Sequence, residues 1–140
     1  MDGVVKVVEN YATQMSKYYN VVLVIPKHKG RLATNENFLI VATSAHFFRF
    51  VNYDLAFPRL DHNLKKVFNC LKVDVVHAHS PFTLGAFGAR LSKKLDIPFV
   101  TTIHSQFKQD FKRYLKSDKL NEFALSRLVK VFNKSDELWA

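Results

Sequence analysis

Three of the six histidines stand at the ends of two strongly apolar runs. His77 and His79 close the run VDVVHAH, and His104 follows the run FVTTI. A serine comes directly after each pattern, at Ser80 and Ser105. Imidazole nitrogens can donate or accept a hydrogen bond, exchange a proton near neutral pH or bind a metal, and a hydroxyl can bind a sugar or a phosphate. These five residues are the first candidates for a functional site.

The use of these residues depends on how the two apolar runs fold. If the runs are neighbouring parallel strands, their carboxyl ends meet at one edge of the sheet, where ligands bind beside the amino ends of helices. Residues two apart on a strand share a face, so His77 and His79 would lie together. His79, Ser80 and His104 would then reach one ligand and could hydrogen-bond sugar hydroxyls or a developing charge. Alternatively, His77 is a histidine of the core whose ring is hydrogen-bonded to the backbone.

Two other chemistries use the same residue types. His77, His79 and His104 could ligate the ion of a metal-dependent hydrolase, but such a site needs three or four ligands in fixed geometry, and no acidic residue or cysteine lies beside them. Ser80 and Ser105 could be nucleophiles, but neither stands in a Gly-x-Ser-x-Gly elbow. A binding site without a metal is therefore the preferred interpretation.

Apolar strands alternate with amphipathic helices along the chain. Buried strands are predicted over residues 21–26, 38–43, 73–78, 99–103 and 137–140, and the last of these ranges holds only the beginning of a strand. Residues 47–57 are ambiguous and could form a short strand and a loop. Helices are predicted over residues 4–19, 61–71, 83–95, 108–115 and 120–132. Asp61 can cap the second helix, and Thr83 or Ser80 the third. The fold class is α/β, a Rossmann-like doubly wound parallel sheet with right-handed crossovers.

The amino end of the first helix carries Asp2 and Gly3. Since Gly3 has no side chain, a phosphate could approach the exposed N–H groups of Gly3, Val4 and Val5, aided by the helix dipole. A unit of this fold normally opens on a strand that feeds such a turn, and that strand lies centrally in the sheet. Its loss would leave two half-sheets facing an empty slot. The sequence therefore predicts that residues 1–140 are a fragment of a longer protein.

The composition fits one basic domain. With 140 residues, of which 48% are hydrophobic, the chain can bury an ordinary core. The formal net charge of +9 predicts a surface that attracts phosphates, nucleic acid or an anionic bilayer. An alternative function is therefore a noncatalytic module that binds nucleic acid through the cations of one segment: Lys108, Lys112, Arg113 and Lys116.

The single cysteine and the lengths of the apolar runs bear on location. Cys70 cannot form an internal disulfide, and its apolar neighbours Val67, Phe68 and Leu71 predict a buried thiol, which fits a reducing cytoplasm. No run approaches the length needed to span a bilayer. The sequence predicts a soluble chain, or one that sits on a membrane rather than in it.

Three quoted segments together resemble a known family. DGVVKVVENYATQMSKYYNVVLVIP, VDVVHAHSPFTLGAFGARLSKKLDIPFVTTIHSQF and the closing NKSDELWA are similar to the N-terminal half of family-four glycosyltransferases, retaining enzymes of the GT-B fold. The specific part is the combination of D-x-x-H-x-H-S, a helix, I-P and T-x-H-S. Most of the chain is covered, and residues 26–62 are unmatched.

The resemblance implies roles for individual residues. Gly3 with Val4 matches the glycine loop whose N–H groups face the donor diphosphate, and His104 matches the histidine that contacts the transferred sugar near the reacting centre. The remaining matched residues would line the acceptor side of the cleft: His79, Ser80, Thr83 and Ser105. The loop normally reads Gly-Gly, and Asp2 in place of the first glycine is a variant associated with glycolipid-forming members.

The resemblance also implies the reaction and its partners. The full-length enzyme would transfer a sugar from a nucleotide-sugar to a lipid or polysaccharide with retention of configuration. No metal or other cofactor would be required, and no nucleic acid is expected as a partner. The donor-binding C-terminal domain would lie outside this chain, so the 140 residues alone would be inactive. The lysines of HSQFKQDFKRYLK would suit an anionic membrane surface, which implies a peripheral position at the cytoplasmic membrane.

Overall fold

A computed structural model describes residues 3–27, 37–48, 53–104, 107–114 and 117–140. Five helices occur in these ranges: α1 (Gly3–Met15), α2 (His62–Cys70), α3 (Thr83–Leu95), α4 (Phe107–Tyr114) and α5 (Asp118–Phe132). Each of them was predicted from its apolar spacing, with bounds that differ by a few residues.

The same ranges contain seven strands: β1 (Val22–Pro26), β2 (Leu39–Thr43), β3 (Ala45–Phe48), β4 (Tyr53–Ala56), β5 (Val76–Ala78), β6 (Phe99–Thr102) and β7 (Glu137–Trp139). β1 and β2 form a parallel pair, β3 and β4 an antiparallel hairpin, and β5, β6 and β7 a parallel sheet in that order. The ambiguous segment is thus a hairpin. The α/β class and its parallel, Rossmann-like pairing are confirmed.

The two parallel sheets remain separate. Within the described residues, β1 pairs only with β2, and β5 pairs only with β6. This arrangement is the one expected when the central position between two half-sheets is not filled by a strand. The prediction of two half-sheets therefore agrees with the structure.

The core lies on one face of the β5–β6–β7 sheet. Ala78 and Phe99, which is 1% exposed, pack against Ala89 of α3 and Val131 of α5. Side chains alternate between the faces of a strand, so the residues next to these point the other way. His77 therefore faces away from the helices that cover the core.

Asp61 joins α2 to the first pair of strands. Its Oδ1 accepts a hydrogen bond from the amide of Leu64, which makes it the predicted N-cap. Its Oδ2 accepts bonds from the hydroxyl of Thr43 and the amide of Ser44. The cap prediction for α3 was wrong: Phe82 occupies the N-cap position, without a side-chain cap bond from Ser80 or Thr83.

Several burial predictions were too strong. All of β1 is half-buried rather than buried on both faces, and Val75 is exposed. Tyr18 and Tyr19, which extend the apolar face of α1, are 81% and 65% exposed. Apolar spacing alone therefore overstated how much of these segments other elements cover.

The prediction of a buried Cys70 thiol was also wrong. The cysteine is exposed. It is the last residue of α2 and lies six positions after Leu64, the buried residue of that helix. At about 100° per residue, six positions turn it to the outer face of the helix.

Candidate active site at the carboxyl ends of β5 and β6

Two of the three histidines are directly bonded. His79 follows the end of β5 and His104 lies just beyond β6, and these strands are parallel neighbours. Nδ1 of His79 lies 2.9 Å from Nε2 of His104. The sheet edge predicted from the sequence therefore brings His79 and His104 together.

His77 completes a column of rings. Its ring centroid lies 4.1 Å from that of His79, as expected for residues two apart on one strand face. Its Nε2 lies 2.7 Å from the Thr102 hydroxyl, so its partner is a side chain and not the predicted backbone group. Trp139 packs edge-on against His77 at 5.1 Å, and Tyr11 packs edge-on against both rings.

The environment keeps two of the imidazoles neutral. Burial lowers the pKa of His79 to about 4, and the neighbouring His77 and His104 add to the effect. Burial also lowers the pKa of His77, with a smaller contribution from His104. Both side chains are therefore uncharged at pH 7, and they offer hydrogen bonds rather than positive charge.

The loop after β5 is held against α3. A Cβ atom on Gly85 would collide with the carbonyl oxygen of Ser80, so the glycine lets the helix backbone approach this loop closely. Ser80 and Thr83 follow His79 in the sequence, and both side chains are half-buried. Ser105, the last residue predicted to line the acceptor side, lies outside the described residues.

The first helix meets the histidines through Tyr11. Gly3 opens α1, as predicted, and Val4 is half-buried. Tyr11 lies about two helical turns beyond Gly3, and its ring reaches His79 at 5.4 Å. The roles of Gly3 and Val4 toward a diphosphate remain predictions.

Sequence reasoning missed three residues of the cluster: Tyr11, Thr102 and Trp139. Thr102 stands two residues before His104, and strand alternation places it on the face of His77. Trp139 is the register partner of Thr102. Both could have been found from the strand register, whereas the approach of Tyr11 depends on how α1 packs.

The predicted metal alternative finds no ligand set in the described part of the chain. No three His, Cys, Asp or Glu side chains there are arranged to hold a metal. The nitrogens of His79 and His104 that face each other share a hydrogen bond, and Nε2 of His77 is engaged by Thr102. These three ring nitrogens therefore face protein partners.

The aromatic face of α4 is turned inward. Phe107 lies 5.9 Å from Phe82 and 6.2 Å from Phe132, and Phe111 lies 6.1 Å from Phe82. Two of the predicted basic residues, Lys108 and Lys112, are exposed. The apolar side of this helix is thus used for packing, which leaves its lysines at the surface. No helix among the described residues is long and apolar enough to cross a bilayer.

Comparison with known proteins supplies the family. The sequence model described as Glycosyltransferase Family 4 matches residues 1–138. A stretch of 64 residues is 41% identical to an alpha-monoglucosyldiacylglycerol synthase of Acholeplasma laidlawii, and it covers 46% of this chain and 16% of that relative. No solved structure matches the chain.

Proposed function

Because the chain belongs to glycosyltransferase family 4, we propose that it forms the acceptor side of an enzyme that transfers a sugar from a nucleotide-sugar to a lipid with retention of configuration. The donor-binding half would lie in residues outside this chain, since the matched stretch covers 16% of the relative. The name of that relative, a synthase of a glucosylated diacylglycerol, favours a lipid over a polysaccharide acceptor.

The observation that carries the proposal is the bond between His79 and His104 at the carboxyl edge of β5 and β6. Ligands of open parallel sheets bind at this edge. His104 would contact the transferred sugar near the reacting centre, and His79, Ser80, Thr83 and Ser105 would lie on the acceptor side. Gly3 and Val4 would offer their N–H groups to the donor diphosphate.

The proposed chemistry suits a site of neutral hydrogen-bonding groups. Retaining sugar transfer passes through an oxocarbenium-like state while negative charge builds on the leaving diphosphate. Backbone N–H groups at a helix start can stabilise that charge without a metal ion. The neutral imidazole of His79 on the acceptor side can accept or donate a hydrogen bond without adding a positive charge to the site.

The proposal is tested by His104→Ala in the full-length gene product that contains this chain. We expect kcat to fall about 100-fold, the order seen when one preorganised hydrogen-bonding group is removed, while KM for diacylglycerol changes little. His62→Ala, at an exposed position of α2, is the matched control and should keep the activity. An unchanged kcat in the His104 variant would contradict the proposed role. Transfer to a polysaccharide alone would contradict the lipid acceptor.

We further propose that the enzyme binds an anionic membrane surface through Lys108 and Lys112. Both side chains are exposed, while the aromatic residues of α4 pack against the protein. The contact would therefore be electrostatic and would weaken as salt rises. Each lysine near an anionic bilayer contributes about 1 kcal/mol.

The membrane proposal is tested by sedimentation with vesicles of phosphatidylglycerol and phosphatidylcholine. Lys108→Glu together with Lys112→Glu should lower the bound fraction on anionic vesicles at least tenfold, since two favourable contributions become unfavourable. Lys65→Glu together with Lys66→Glu, at exposed positions of α2, makes the same change of net charge and is the control. Equal losses in the α2 and α4 variants would argue against a specific surface on α4.

A further inference from the structure

The bond between His79 and His104 has a defined shape. The two ring planes lie 21° apart, the ring centroids 5.2 Å apart, and the facing nitrogens 2.9 Å apart. These values describe rings that lie edge to edge and nearly in one plane. Such a bond needs one proton between the two nitrogens, because two N–H groups would repel and two lone pairs would not bond.

His79 is fixed from its other sides. The ring of His77 lies against it at 4.1 Å with the two planes tilted by 32°, and Tyr11 of α1 packs edge-on at 5.4 Å. His77 is itself held by Thr102 and by Trp139, whose indole N–H donates to the carboxylate of Glu137 on β7. Among the residues that the structure describes, the titratable groups in contact with His79 are Tyr11, His77 and His104, and Glu137 lies one step further away.

We infer that His79 is a positioning residue, whose Nδ1 accepts the hydrogen bond from Nε2–H of His104 and so leaves Nδ1 of His104 as the nitrogen that meets the substrate. In this arrangement the bond between the rings holds the ring of His104 in one orientation and leaves a lone pair on its Nδ1.

The opposite arrangement is less favourable. If Nδ1–H of His79 donated to His104, the free nitrogen of the pair would be Nε2 of His79, and an added proton would place the charge there. Burial opposes a cation at that position, which is the cause that lowers the pKa of His79 to about 4. The arrangement in which Nδ1 of His79 accepts the bond does not place an added proton on Nε2 of His79.

The inference deepens the proposed function, and its first test does not depend on that function. Nitrogen-15 NMR of the histidine rings in this 140-residue chain at pH 7 reports which ring nitrogens carry protons. We expect a protonated Nε2 on His104 and an unprotonated Nδ1 on His79. A protonated Nδ1 on His79, or signals of His104 that average between the two tautomers, would overturn the inference.

Two variants of His79 distinguish a role in orienting His104 from a role in packing alone. His79→Asn keeps an acceptor atom near the place of Nδ1 and should preserve the tautomer of His104. His79→Phe keeps a ring against Tyr11 and His77 but removes the acceptor, so the signals of His104 should average. His62→Phe, at an exposed position, should change neither. If His79→Phe leaves the tautomer fixed, His79 does not set it.

The kinetic test uses the full-length gene product. His79→Phe should lower kcat at least tenfold with KM for the acceptor changed less than threefold, and His79→Asn should recover most of kcat. A wild-type kcat in His79→Phe would contradict the positioning role. Absence of sugar transfer by the wild-type enzyme would contradict the proposed function, while the NMR result would still decide whether His79 orients His104.

Discussion

Asp61 shows how one side chain can fix the meeting point of several elements. It is 8% exposed, and Thr43, one of its donors, is fully buried. Hydrogen bonds from the Leu64 and Ser44 amides lower the pKa of Asp61 to about 2. The carboxylate therefore accepts hydrogen bonds from donors at the start of α2 and at the end of β2 at the same time.

Removing that carboxylate should be costly. Asp61→Ala is expected to lower the free energy of unfolding by about 3 kcal/mol, from a lost N-cap and from buried donors left without an acceptor. The measurement is urea unfolding followed by circular dichroism. Asp118→Ala, at an exposed position in the first turn of α5, should cost about 0.5 kcal/mol or less. Equal losses in the two variants would contradict the buried role of Asp61.

The neutral His79 predicts a pH dependence of stability. Its pKa is about 4 in the folded chain against an ordinary 6.5, so between these values the unfolded chain binds more protons and stability falls as pH falls. The change in unfolding free energy between pH 7 and pH 5 should shrink in His79→Phe and persist in His62→Phe. An unchanged dependence in His79→Phe would show that this ring does not cause it. Asp61 affects stability in a separate pH range, because its contribution to the free energy of unfolding is lost as the pH falls from about 4 toward its folded pKa of about 2.

At the scale of elements, α3 sets the position of the loop that carries His79. Gly85 and Gly88 are both buried in this helix. A Cβ atom on Gly85 would meet the backbone of Ser80, whereas one on Gly88 would lie 3.0 Å from a Val76 methyl and 3.4 Å from the Phe99 ring. Backbone cannot move aside as easily as the end of a side chain. The close approach of α3 to the loop therefore depends on Gly85.

Glycine-to-alanine changes in this helix should differ in effect. Alanine normally stabilises a helix interior by about 1 kcal/mol relative to glycine, but Gly85→Ala should destabilise by about 1–3 kcal/mol because the site is overpacked. Gly88→Ala is the matched control and should be closer to neutral. The same unfolding measurement compares them, and NMR signals of His79 should shift in the Gly85 variant only. A more stable Gly85→Ala would contradict the close packing.

At the scale of the molecule, two parallel sheets stand apart with α1 beside them. The exposed Tyr18 and Tyr19 and the half-buried β1 show that this region is less covered than the core around Phe99. The candidate site lies at the edge of the β5–β6–β7 sheet, and the strands that carry its histidine pair do not pair with the other parallel sheet.

Sugar transfer should need more than these 140 residues. The purified chain is expected to show no turnover of nucleotide-sugars in the presence of diacylglycerol, because the proposed donor-binding half lies elsewhere. A radiolabelled-sugar transfer assay measures this, with the full-length gene product as the positive reference. Turnover by the isolated chain would contradict the proposed division between donor and acceptor sides.

The sequence by itself determined the helices, the parallel strands, the fold class and the sheet edge of the candidate site, but not the hairpin of β3 and β4. Apolar runs alternating with helical spacing specify parallel strands, and strand alternation puts His77 and His79 on one face. The neighbouring order of β5 and β6 then brings His104 beside them. These inferences depend on local periodicity and on the common direction of parallel strands, which the chain encodes directly.

Only the tertiary structure decided which side chains contact the histidines and which apolar faces are covered by other elements. It set which nitrogen of His79 faces His104, brought Tyr11 onto the histidines, and left Cys70 and much of the apolar face of α1 exposed. Each of these depends on distances between elements far apart in the chain. Hydrophobic spacing says that a face can be buried, but whether another element lies against it is a property of the assembled fold.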